Sequence, residues 1–266
     1  MRLIKTTTVL VLLSACGGGG GGNDDELQLR FAAPDISTTF SSVGPTVRVT
    51  TDDDGSINQI IIGDNTFSGD AVSDDNADTD REDIVEMLRA VSAGEVTQDF
   101  ALDNGTLNNA AFGLVADDES IDGFAFGAPT TLQDIPTSGQ AIFSGRTIGA
   151  GTDAGGAQFA FTGDVQILAN FATGAVTAGL SDFETQAVEI GAAAPGIPDL
   201  SGSGFLTDRN YTVALESEDR IGGIPEWFGA ADGRLFGPAG SETAGTWAAE
   251  SNVDNIAVEG SFGATQ

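Results

Sequence analysis

From Gly139 onward, apolar and polar positions alternate with a period of two. Ala157–Ala169 sets Phe159, Phe161, Val165 and Ile167 on one face and Gln158, Thr162, Asp164 and Gln166 on the other. That period belongs to a strand with one buried face. Gly139–Ile148 carries Ala141 and Phe143 on one face, and Gly174–Phe183 carries Val176, Ala178 and Leu180. After a loop containing Ala192–Pro198, Gly202–Leu206 and Asn210–Ser217 form the next pair, with Tyr211, Val213 and Leu215 alternating. Gly233–Gly237 and Thr243–Glu250 are joined by a Pro-Gly turn at Pro238–Gly240. Asn255–Gly263 follows the turn-rich Ser251–Asp254 and opposes Ile256, Val258 and Phe262 to Ala257, Glu259 and Ser261. Eight antiparallel strands in a meander predict a barrel whose interior is just filled by side chains. Glycine inside the strands suits tight curvature and bulges.

The pattern before Gly139 is less regular. Pro45–Thr51 and Ile57–Gly63 read as a hairpin about Asp52-Asp53-Asp54-Gly55. Thr79-Asp80-Arg81-Glu82 fits a capping box, and the apolar stripe Ile84, Leu88 and Val91, with Val85 and Met87 beside it, predicts a helix over Asp80–Ala93 that packs on a sheet. Gly94 is its stop. Val96–Leu102, Ala110–Ala116 and Ile121–Gly127 predict further strands, with turns at Asp103-Asn104-Gly105 and Asp117–Ser120. Pro129–Ser138 reads as a linker. The fold class is therefore mainly β: a smaller β-rich domain with one short helix over residues 27–137, then an eight-stranded antiparallel barrel over 138–266.

The first residues read MRLIKTTTVLVLLSAC. Arg2 and Lys5 precede a short apolar run, Val9–Leu13, and Leu13-Ser14-Ala15-Cys16 matches the bacterial lipobox. Residues 1–15 are thus expected to be a lipoprotein signal peptide, with the Cys16 sulfur acylated. Gly17 follows instead of the aspartate that retains lipoproteins at the inner membrane, which favours the outer membrane. Residues 16–26, mostly glycine, read as a flexible tether, since a Gly-rich coil of that length spans about 17 Å on average. The six glycines are no P-loop, because no Gly-Lys-Ser/Thr follows.

Charge narrows the partners. The 266 residues carry a formal charge of −30, which becomes −32 once Arg2 and Lys5 leave with the signal peptide. A surface of that sign repels nucleic acid and anionic lipid. It suits solubility or a cationic partner. The Asp52–Asp54 cluster is either a solvated turn or a calcium site. Asp74, Asn76 and Asp78 begin like an EF-hand loop, but Thr79 stands where its glycine belongs and Val85 where its glutamate belongs.

Candidate chemistry is sparse. The chain has no histidine, so neither a Ser-His-Asp site nor an imidazole ligand for zinc or haem is available. Tyr211 and Met87 are the remaining residues able to reach a haem iron, and the alternation around Tyr211 makes it a core or rim aromatic. No carboxylate pair stands out among 40 acids. Trp227 and Phe228, after Pro225 in a loop, are candidate ligand-loop aromatics or a cap on one barrel mouth. No catalysis, cofactor or metal is expected.

Several segments, in order, resemble the transferrin-binding protein B-like surface lipoproteins. They are Ala111-Phe112-Gly113 and Ala125-Phe126-Gly127; Asp134-Ile135-Pro136-Thr137-Ser138-Gly139-Gln140-Ala141 leading into Phe143-Ser144-Gly145; Asn170–Leu180; Gly233–Pro238 followed by Glu242–Trp247; and a terminal Gly-Ser-Phe-Gly run. The resemblance covers roughly the last 150 residues and the lipidated poly-Gly start. It implies a barrel behind a smaller handle domain, and export to the cell surface, in some members through a dedicated outer-membrane translocon. Family members capture host iron proteins, haem carriers or complement regulators. The chain is about one lobe long where transferrin binders have two, and no transferrin-contacting loop matches. The resulting expectation is a surface lipoprotein, monomeric, that binds a protein or small nutrient ligand through loops. The alternative is a structural or adhesion lipoprotein with a calcium-organised acidic surface.

Overall fold

The computed structural model describes residues 37–39, 41–51, 57–68, 79–103, 106–117 and 120–266. Cys16, the tether, the Asp52–Asp54 cluster and Asp74–Asp78 lie outside the described residues.

The eight strands of the barrel are β9 (Gln140–Thr152), β10 (Gln158–Asn170), β11 (Ala175–Ala187), β12 (Leu200–Thr207), β13 (Asn210–Ser217), β16 (Trp227–Phe236), β17 (Glu242–Ser251) and β18 (Ala257–Thr265). Each pairs antiparallel with the next, and β18 pairs back onto β9, so the barrel is closed. The turn at Pro238–Gly240 is a single 3-10 turn, with Ala239 at φ 55°. A small hairpin, β14 (Arg220–Ile221) with β15 (Ile224–Pro225), stands between β13 and β16. The expected inward residues all line the lumen, Phe143, Phe159, Phe161, Val165, Ile167, Tyr211, Val213 and Phe262 among them.

The glycines explain how so small a lumen holds so many rings. Tyr211 pairs with Gly233, Phe159 with Gly151, Phe161 with Gly149 and Trp247 with Gly260. A Cβ on Gly233 would lie 2.2 Å from the Tyr211 ring, and one on Gly151 2.4 Å from the Phe159 ring. Each large ring therefore lies across a partner with no side chain. At the centre, Trp247 packs against Phe161 and Phe183 with centroids 5.4 and 5.6 Å away. Its indole N–H donates to Thr147 Oγ1 at 2.7 Å, and that hydroxyl donates to the Ser261 carbonyl, so the indole and the threonine hydroxyl are both satisfied.

Phe183 reaches the lumen through a bulge. Thr162 pairs with Glu184 and Asp164 with Ser181, so β11 holds one extra residue there. Asp182 takes it up at φ 53°. The inward set therefore changes from even numbers (Val176, Ala178, Leu180) to odd (Phe183).

Two four-stranded sheets precede the barrel. One has the order β1 (Ser37–Thr39), β3 (Val47–Thr51), β4 (Ile57–Ile62), β5 (Asn65–Ser68). The other has the order β2 (Ser41–Val43), β8 (Ile121–Gly127), β7 (Ala110–Asp117), β6 (Gln98–Asp103). Val47, Val49, Ile60, Ile62 and Phe67 of the first pack on Phe100, Leu102, Val115, Phe124 and Phe126 of the second. The opposite face of the second sheet, with Ala101, Phe112, Leu114 and Ala125, packs on outward barrel residues Ile148, Ala150, Ala160, Phe236 and Ala244. A sheet covered on both sides reads as a continuous apolar run, as β7 (AAFGLVAD) does.

Helix α1 (Arg81–Ala93) buries Ile84, Val85, Met87 and Leu88 in that same layer. Its N-cap is Asp80, whose carboxylate accepts from the Glu82 and Asp83 amides while Asp83 accepts from the Asp80 amide. This corrects the expected box by one position. Thr79 is drawn inward, where its hydroxyl donates to the Leu102 carbonyl at 2.6 Å. Gly94 caps the other end at φ 70°.

Charged groups pin the second sheet to the barrel. The Glu242 carboxylate, 3% exposed, accepts from the Asn108 and Asn109 amides at 2.9 and 2.8 Å and from Asn109 Nδ2 at 2.8 Å. Arg146 lies 3.2 Å from the buried Asp103 carboxylate and donates to the Thr79 carbonyl. Pro129–Ser138 runs along the barrel end; Pro129 bridges to Phe236, and Thr130 donates to the Gly237 carbonyl.

Candidate functional site

Alternation along β16 separates the two aromatics that the sequence places side by side. Trp227 and Phe228 are not in a loop, as expected, but open this strand, because Phe228 pairs with Glu216 on one side and Glu250 on the other. Successive residues of a strand face opposite ways. Trp227 therefore turns into the lumen at 2% exposure, its amide donating to Ser217 Oγ at 3.0 Å. Phe228 turns outward at 39% exposure. Tyr211 and Met87 are both buried. The Tyr211 hydroxyl is 2.7 Å from Thr243 Oγ1, and burial raises its pKa strongly against the smaller opposing effect of that hydrogen bond.

Phe228 lines an open groove of about 510 Å³ on the outer barrel wall, where the β7–β8 end of the second sheet overhangs it. Strand register builds the floor. Phe228, Glu250, Ala257 and Thr152 are successive cross-strand partners on β16, β17, β18 and β9. Ala230, Ala248, Glu259 and Ala150 form the neighbouring row. Ala248 and Ala257, the cross-strand partners of Glu259 and Glu250, keep the wall low beside the two glutamates. Asp117 and Ser120 form the overhang with Ile121. The Ser120 amide donates to Asp117 Oδ1 at 2.8 Å.

The groove is acidic. Glu259 accepts from the Gly123 amide at 3.1 Å. Desolvation raises its pKa, the amide partly offsets this, and the nearby Asp122 raises it further. Glu250 has no protein partner among the described residues, and the lining contains no lysine or arginine. Among the described residues, no group of three or more Cys, Asp or Glu is placed to hold a metal ion. Sequence reasoning put Ala257 and Glu259 on the polar face of the last strand but missed the groove, since its residues come from seven strands of two sheets, brought together by register and sheet packing.

Comparison with solved structures finds this architecture elsewhere. A mutant of the vaccine antigen transferrin-binding protein B from Haemophilus parasuis Hp5 matches with a TM-score of 0.50 at 12% identity, over 86% of this chain and 45% of that one. A double mutant of the same protein gives the same values. The isotype 1 transferrin-binding protein B from serogroup B Neisseria meningitidis gives a TM-score of 0.47 at 12% identity, over 86% of this chain and 43% of that one. The chain thus spans less than half the length of these proteins. No protein-family model matches it, and no curated protein matches it. The likeness is one of fold: a closed eight-stranded antiparallel barrel with additional small β-sheets, as in part of transferrin-binding protein B.

Proposed function

We propose that this chain is a lipid-anchored, surface-exposed lipoprotein of the outer membrane that binds a ligand and performs no catalysis. Residues 1–15 are the signal peptide, Cys16 is acylated, residues 16–26 are the tether, 27–137 form a handle domain, and 138–266 form the barrel. The partner is a protein or a small nutrient ligand and not nucleic acid, and the protein acts as a monomer. The observation that carries this reading is the fold match, over 86% of the chain, to a protein whose name records transferrin binding. The lipobox and the poly-Gly tether support the anchored part. Phe228 is the aromatic that ligand would meet, and Trp227 holds its strand from within.

Protease treatment of intact cells tests the reading. Loss of the protein under conditions that spare periplasmic markers is expected, together with a diacylated Cys16 in the mass spectrum of the purified chain. The Cys16→Ser variant should lose its membrane association. A protein that survives shaving lies on the inner face, and an unmodified thiol at position 16 would refute the anchor.

A further inference from the structure

The groove beneath the β7–β8 overhang has a chemical character that specifies an occupant. Glu250 faces Ala257 and Glu259 faces Ala248, so the two glutamates lie on a cross-strand diagonal, about 7–8 Å apart between Cα atoms. A single ammonium or guanidinium fits between carboxylates at that spacing. Phe228, Ala248, Ala257 and Ile121 offer apolar surface around them. Lysine and arginine side chains combine an aliphatic stem with a charged head, and a cation lies favourably over an aromatic face. The hairpin that precedes Phe228 in the chain exposes two further apolar side chains, Ile221 at 56% and Ile224 at 63%. The chain's charge of −30 draws a cationic partner to this face and repels an anionic one.

We propose that this groove is the docking site for a basic, partly apolar segment of a partner protein, whose lysine or arginine heads lie between Glu250 and Glu259 and whose stems rest on Phe228. The proposal rests on the ligand-binding reading above and names the chemistry of the ligand.

The test uses the full lipidated chain in a neutral detergent. The probe is a fluorescein-labelled peptide of alternating lysine and leucine; the control peptide replaces lysine with glutamate. Fluorescence anisotropy should report binding of the lysine peptide alone, weakening as salt rises. Glu250→Gln should weaken it about five-fold and Phe228→Ala about ten-fold. Asp164→Asn and Asp208→Asn, which remove equal charge from the barrel away from the groove, should change it less than about two-fold. Equal weakening by groove and control variants would mean diffuse attraction and would overturn the proposal. So would indifference to Phe228→Ala, or binding that appears only after deletion of residues 27–36, which would give the groove to the chain's own segment. Protein that is shaved from cells yet ignores the lysine peptide would sink the groove assignment while leaving surface display intact.

Discussion

Replacing Glu242 should loosen the seam between the second sheet and the barrel. Its carboxylate is almost fully buried and accepts three hydrogen bonds, two from successive backbone amides. Hydrogen bonds to a charged group are worth about 1.5–3 kcal/mol each, and a donor stripped of its partner bears its desolvation cost. In Glu242→Gln the amide oxygen can take the place of Oε1, which serves Asn108 N and Asn109 Nδ2. The new NH₂ then faces the Asn109 amide, donor against donor. One charge-assisted bond is lost, at a cost of about 2–3 kcal/mol. Glu242→Ala removes all three acceptors and leaves a cavity, a cost of about 4–5 kcal/mol. For a chain of this size, each kcal/mol lowers Tm by about 2–4 °C. The glutamine variant should therefore melt about 4–12 °C lower and the alanine variant lower still. Circular dichroism melts of the unlipidated Cys16→Ser protein provide the measurement, with the exposed Glu216→Gln as control. Limited proteolysis should also cut faster within residues 129–138, as the strap loosens with the seam. Melts within about 1 °C of the parent for both variants, or a glutamine variant as damaged as the alanine one, would refute the hydrogen-bond argument.

Other perturbations read different parts of the structure. Trp247→Ala should cost about 3–5 kcal/mol and Trp247→Phe, which keeps most of the packing but removes the indole donor from Thr147 Oγ1, about 1–2 kcal/mol; denaturant midpoints at unchanged m-value measure both. Gly233→Ala should cost about 1–3 kcal/mol because its Cβ meets the Tyr211 ring, and adding Tyr211→Leu should recover part of that loss in a double-mutant cycle. Glu259, with its pKa raised, favours the folded state most below its unfolded pKa and loses that contribution as pH rises through the raised value. Glu259→Gln should therefore melt no lower than the parent at neutral pH and lose any advantage as pH falls below about 4; an advantage growing with acidity would reverse the assigned sign. Asp80→Ala should cost about 1 kcal/mol through loss of the helix cap, read in the same melts.

Where one face of a strand meets water and the other the lumen, alternation showed the barrel directly: β10 and β13 were legible residue by residue. The reading weakened wherever that contrast vanished. The far end of β9, Gly149–Thr152, is covered inside by rings and outside by the second sheet, so no polar face marked it. The end of β11 was lost at the Asp182 bulge, where the inward parity changes. The start of β16 looks like a loop in the sequence because Trp227 and Phe228, apolar neighbours behind a proline, disguise an in-out pair. The helix was legible from its stripe and stop, but the choice between Thr79 and Asp80 as cap was decided by a tertiary bond to Leu102. The groove had no local signal, because Phe228, Glu250 and Glu259 become neighbours only through register.

A barrel stoppered by its own rings divides its residues into two separate jobs. Cohesion lies with the glycines and aromatics inside, while the exposed wall and rim contribute little to holding the molecule together. Amino acids on the part of that outer skin that faces solvent can then be exchanged freely, with the melting point of the same cylinder nearly unmoved.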